Sequence, residues 1–72
     1  MNVKIFLQEQ LIGELGVREE TNMPYHKLIP LEQINDDMLF TMYDSDKAVT
    51  IIFPDDSSRT YTYLDDCFKP CD

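Results

Sequence analysis

The sequence predicts a mostly β single domain, or an α+β one if its middle carries a helix. Three observations support this. Short runs of apolar, β-branched and aromatic residues alternate with polar ones at a period of two. Gly, Pro, Asp and Ser clusters with turn chemistry separate those runs. The chain has 72 residues, a size that buries only about 60% of its unfolded surface, so the strands must share one small core.

Val3, Ile5 and Leu7 fall on one face of a first strand over residues 3–7, with Lys4 and Phe6 on the other. Glu9-Gln10 supplies a turn. Residues 11–17 return as a second strand with Leu11, Leu15 and Val17 inward, where Gly13 and Gly16 mark a bulge. The pair is an N-terminal β-hairpin. Residues 18–24 read as an irregular connection and residues 25–29 as a short extended piece. Pro30 suits a first helical position, and a structureless loop of about 20 residues would be out of place in a compact domain. The sequence therefore admits a short helical turn near 30–36, through Leu31, Gln33 and Ile34.

Residues 38–43, Met-Leu-Phe-Thr-Met-Tyr, are expected to form a strand, followed by turn chemistry at 44–47. A β-branched strand spans 48–53, a second turn 54–58, and a last strand 59–64. Tyr61 and Tyr63 share one face of that last strand; Thr60 and Thr62 share the other. The three strands make a C-terminal three-stranded antiparallel meander. The domain is expected over 1–68, with 69–72 a flexible tail. Cys67 and Cys71 read as free thiols of a frayed end, or as a disulfide in an oxidising compartment. A zinc site usually needs four ligands, and His26 is the one other soft candidate, so no metal or cofactor is expected.

No apolar run approaches the roughly 18 residues of a membrane span. The first residues lack the basic and apolar pattern of a signal peptide, so the expected location is the cytoplasm of a bacterial host cell. Fourteen acids stand against six bases, a net charge of −8. A phosphate backbone or an anionic membrane would repel such a surface, whereas a basic protein surface would attract it.

The acids come in pairs: Glu19-Glu20, Asp36-Asp37, Asp55-Asp56, Asp65-Asp66 and the near-pair Asp44/Asp46. Taken singly, each doublet is turn chemistry. The expected meander gathers them into two rims, with Asp44, Asp46, Asp65 and Asp66 at one end and Asp36, Asp37, Asp55 and Asp56 at the other. Four carboxylates on one rim repel and need solvent or a cationic partner. Such an array can occupy the sites that phosphates would take on a basic enzyme, as small phage or mobile-element inhibitors of restriction, repair or CRISPR enzymes do. Catalysis would instead need carboxylates held in a pocket with shifted pKa values. The sequence has no phosphate loop, Gly-x-Ser-x-Gly elbow or His-Glu-x-x-His motif. Tyr43, Phe53, Tyr61 and Tyr63 offer an aromatic patch of the kind favoured at interfaces, and a sheet face left uncovered would be met by a partner or a homodimer.

Lys4-Ile-Phe-Leu-Gln-Glu9, Val17-Arg-Glu-Glu-Thr21 and Tyr25 resemble the epsilon subunit family of Gram-positive bacterial RNA polymerase, which has a K-x-F-x-Q strand, a V-R-E-x-T stretch and a tyrosine at similar spacing. The match covers roughly residues 4–25 and needs one insertion near Leu11-Ile12-Gly13. Beyond Pro30 the chain departs: the family has a longer basic helix where this sequence has Leu31-Glu-Gln-Ile34 and then acids. The resemblance implies a small α/β domain docking on RNA polymerase as an accessory subunit.

The residues themselves point first to a non-enzymatic acidic protein that binds a basic surface of a nucleic-acid-processing enzyme and inhibits it. The expected contact surface is Asp44, Asp46, Asp55, Asp56, Asp65 and Asp66, anchored by Tyr61 and Tyr63. Docking on RNA polymerase through residues 18–25 is the alternative.

Overall fold

The computed structural model describes residues 1–20, 26–43 and 48–71. Its elements are β1 (Asn2–Leu7), β2 (Gln10–Glu20), β3 (Lys27–Pro30), α1 (Asp36–Tyr43), β4 (Val49–Ile52), β5 (Ser58–Leu64) and β6 (Cys67–Pro70). The six strands close into an antiparallel barrel in the order β1-β2-β3-β6-β5-β4. Two meanders meet along two seams. One pairs Lys4, Ile5 and Phe6 with Ile52, Ile51 and Thr50. The other pairs Leu28 with Phe68. Closure gives each of these six strands a neighbour on both sides.

Alternation explains which residues face inward. Val3 and Ile5 of β1, Leu15 and Val17 of β2, Val49 and Ile51 of β4, Tyr61 of β5 and Phe68 of β6 form one cluster with Leu28, Ile34, Met38 and Met42. Among the described residues no polar or charged side chain is buried. The expected bulge is present: pairing runs Ile5 with Gly13, then Phe6 with Leu11, so Ile12 is the extra residue. That shift turns Leu11, expected inward, to the exposed side. Gly13 has a second role, since a Cβ there would overlap the Met38 Cε.

Two hairpins close with two-residue loops. Gln8 and Glu9 sit between the paired Leu7 and Gln10, and Asp65 and Asp66 between the paired Leu64 and Cys67. All four have positive φ, at 50°, 69°, 55° and 63°, as a type I′ turn requires and as aspartate tolerates better than most residues.

Three expectations are corrected. Residues 38–43 are helical, not a strand. The Asn35 Oδ1 accepts from the Met38 N–H at 2.8 Å, the Leu39 N–H donates to the Asn35 carbonyl at 3.0 Å, and Asp36 and Asp37 occupy the first turn. Asn35 thus caps the helix and the two acids suit its positive end. The helical turn expected near 30–36 is accordingly displaced: residues 31–35 are bent and irregular, and the helix starts at Asp36. Finally, Lys69 and Pro70, expected in a tail, belong to β6, and the Cys71 N–H donates to the Thr60 carbonyl at 3.1 Å. The C-terminal three-stranded meander exists with β4, β5 and β6 as its members. Both cysteines are free. Four steps along extended chain separate them by roughly 13 Å, about twice the reach of a disulfide.

Candidate functional site

Antiparallel pairing sorts the turns between two ends of the barrel. The β1–β2 and β5–β6 turns share one end with the start of β4. β3 also runs toward that end, so α1, which joins β3 to β4, lies across it. The β4–β5 turn lies at the opposite end, with Glu20 and Lys27. The rims expected from the sequence are therefore rearranged. Asp36 and Asp37 sit on the helix end with Asp65 and Asp66, not with Asp55 and Asp56. Asp44 and Asp46 lie outside the described residues.

At the far end, a cleft of about 450 Å³ is lined by Glu19, His26, Phe53, Asp55, Arg59 and Tyr61 among others. His26 Nδ1 stands 3.7 Å from Glu19 Oε1, and the Phe53 ring meets Tyr61 edge-on at 6.3 Å between centroids. Asp55 accepts from the Ser57 hydroxyl and from its N–H at 3.0 Å. Those bonds favour the charged form and hold the Asp55 carboxyl below its usual range. Asp56 has a φ of 68°. This doublet is thus built into a turn, and its outward charge remains exposed.

Tyr61, expected as an anchor, is 2% exposed and belongs to the core; a side chain enclosed by the barrel offers a partner almost no surface. Tyr63 is half-buried. Its ring lies 6.1 Å from that of Tyr43 and 4.9 Å from that of Phe68, between centroids. Burial first, then the charge of Asp66 and the Tyr43 hydroxyl, raises the Tyr63 pKa above its ordinary value. The four aromatics expected in one patch are therefore split between the two ends.

The helix end has a groove of about 340 Å³ lined by Pro30, Glu32, Gln33, Ile34, Leu39, Tyr43, Tyr63 and Asp66. Beyond it Leu31, Phe40 and Leu64 are exposed, at 63%, 65% and 53%. Sequence reasoning named Tyr43 and Tyr63 but missed Leu39, Phe40 and Glu32. The available signal was helical spacing: Met38 and Met42 are four apart and face in, while Leu39 and Tyr43, also four apart, border the groove. Asp65 pairs with Lys69 across 3.3 Å at an exposed site. Among the described residues no three His, Cys, Asp or Glu side chains gather as metal ligands. No known protein family, curated protein or solved structure matches the chain.

Proposed function

We propose that the protein is a non-enzymatic acidic binding protein that occupies a basic surface of a nucleic-acid-processing enzyme and inhibits it, in the manner of a phage-type nucleic-acid mimic. The observation that supports this reading is the placement of charge. With fourteen acids and six bases, one-to-one pairing inside the chain leaves a surplus of carboxylates. Asp36, Asp37, Asp55, Asp56, Asp65 and Asp66 all present theirs at exposed turns or a helix start. The acids at the helix end adjoin exposed apolar groups, and an apolar centre with a charged rim is the ordinary anatomy of a protein interface. Tyr63 and Tyr43 replace Tyr61 as anchors.

Immobilised protein exposed to bacterial lysate and eluted with a salt gradient tests the proposal, with capture repeated on an Asp65→Asn/Asp66→Asn variant. Asparagine tolerates positive φ, so it removes charge without forcing the turn. A nuclease, repair enzyme or defence complex released at moderate salt, weakened by the variant and inhibited by the pure protein, supports the proposal. RNA polymerase held to high salt, and lost when residues 18–20 are changed, would overturn it in favour of the accessory-subunit alternative.

A further inference from the structure

We infer that the helix-end groove is a receptor for an arginine side chain of the partner. The inference rests on the proposed function and names its point of contact. The groove's base is apolar, with Ile34 buried and Leu39 half-buried. Its wall is the Tyr43–Tyr63 pair, whose rings are inclined at 58°. Its polar edge carries two carboxylates, Glu32 and Asp66, and among the described residues no Lys, Arg or His lines it. The Glu32 Oε1 accepts from the Gly16 N–H at 3.3 Å, which ties that carboxylate to the barrel. The Asp66 backbone is set by its place in the β5–β6 turn, at a φ of 63°.

Each part of the groove selects against other occupants. Two carboxylates repel a phosphate or an acidic peptide. A second copy of the chain would bring another −8 to an already acidic rim, which opposes self-association here. An apolar peptide would bring no cation to either carboxylate. A long side chain with a cationic tip satisfies all three surfaces: methylenes on Leu39, a cation over a tyrosine face, and N–H donors toward Glu32 and Asp66. Arginine fits better than lysine, since its planar guanidinium both stacks on a ring and reaches two acceptors.

The test is a backbone-amide NMR titration of the full chain with tetra-arginine, tetra-lysine and tetra-glutamate peptides. The expected result is saturable shifts at Glu32, Gln33, Tyr43, Tyr63 and Asp66 with tetra-arginine. Tetra-lysine should bind about two- to fivefold more weakly, the value of stacking at an exposed ring, and tetra-glutamate should not bind. Tyr43→Ala and Asp66→Asn should each weaken tetra-arginine severalfold; both sites are exposed or half-exposed and tolerate the change. Shifts spread equally over Asp55, Asp56 and Ser57 would overturn the site and leave the proposed function standing, as diffuse charge attraction. Absence of binding, or equal affinity for lysine and arginine peptides with Tyr43→Ala silent, would also overturn it. Conversely, a saturable groove with no basic enzyme captured from lysate would sink the proposed function alone.

Discussion

Gln8 and Glu9 close the β1–β2 hairpin in the left-handed region, at φ of 50° and 69°, although neither residue type favours it. Left-handed backbone costs an L-residue with a Cβ about 1–2 kcal/mol. Replacing the pair by Asn-Gly (Gln8→Asn with Glu9→Gly) removes nearly all of the glycine share and part of the asparagine share. The new glycine returns roughly 0.5–1 kcal/mol through chain entropy in the unfolded state. The expected net gain is about 1–2 kcal/mol, or roughly 5–15 °C in Tm for a domain of this size. Thermal and urea unfolding followed by circular dichroism measure it, with an unchanged urea slope as the sign that the folded state is preserved. Glu9→Gln serves as control, because it removes the charge and keeps the strain; it should recover little of the gain. The same Asn-Gly change at Asp65-Asp66 should yield less, since aspartate already tolerates positive φ. A neutral or destabilising effect at Gln8-Glu9 would refute the assigned turn.

Two further predictions probe the parts of the fold that the sequence left unread. Phe68→Ala should cost about 3–5 kcal/mol, because Phe68 is fully enclosed; a loss under about 1 kcal/mol in urea unfolding would be the behaviour of a tail residue and would contradict β6. Burial raises the Tyr61 and Tyr63 phenols above 10.0, which favours the neutral form in the folded state. Their stabilising contribution is complete below the unfolded pKa and is lost as pH rises through the folded one. Absorbance at 295 nm during alkaline titration should therefore show late-ionising tyrosine coupled to loss of β structure, with the Tyr61 component absent from Tyr61→Phe. A single phenolic transition near pH 10 in an intact barrel would refute the burial.

How much of this was legible depended on the range of the determining contacts. The hairpin of β1 and β2 follows from local alternation, and the bulge from Gly13, so both could be read directly. β4 and β5 were marked by β-branched and tyrosine alternation between turn residues. The failures lie where local signals compete. Residues 38–43 are apolar enough to pass for a strand, and the Asp36-Asp37 doublet reads as turn chemistry although it opens a helix capped by Asn35. Asp65-Asp66 was read as a strand end, yet a two-residue turn with both φ positive implies a strand beyond it. That strand is only four residues and ends in proline, which hid it. Closure depends on two seams, Ile5 with Ile51 and Leu28 with Phe68, long-range pairings that no local pattern encodes. The candidate site inherits these errors: Asp65 and Asp66 were named correctly as exposed acids, while Tyr61 alternated with exposed neighbours into a barrel interior that a flat meander would not have.

The most direct test of the central claim is competition. A captured enzyme of the proposed kind would be held with the protein while its own double-stranded DNA or RNA substrate is titrated in at fixed ionic strength. Mutually exclusive binding, with the nucleic acid displacing the protein in proportion to its occupancy, is the predicted result. A ternary complex in which enzyme, protein and nucleic acid bind together without loss of affinity would contradict the claim that these carboxylates stand where phosphates stand.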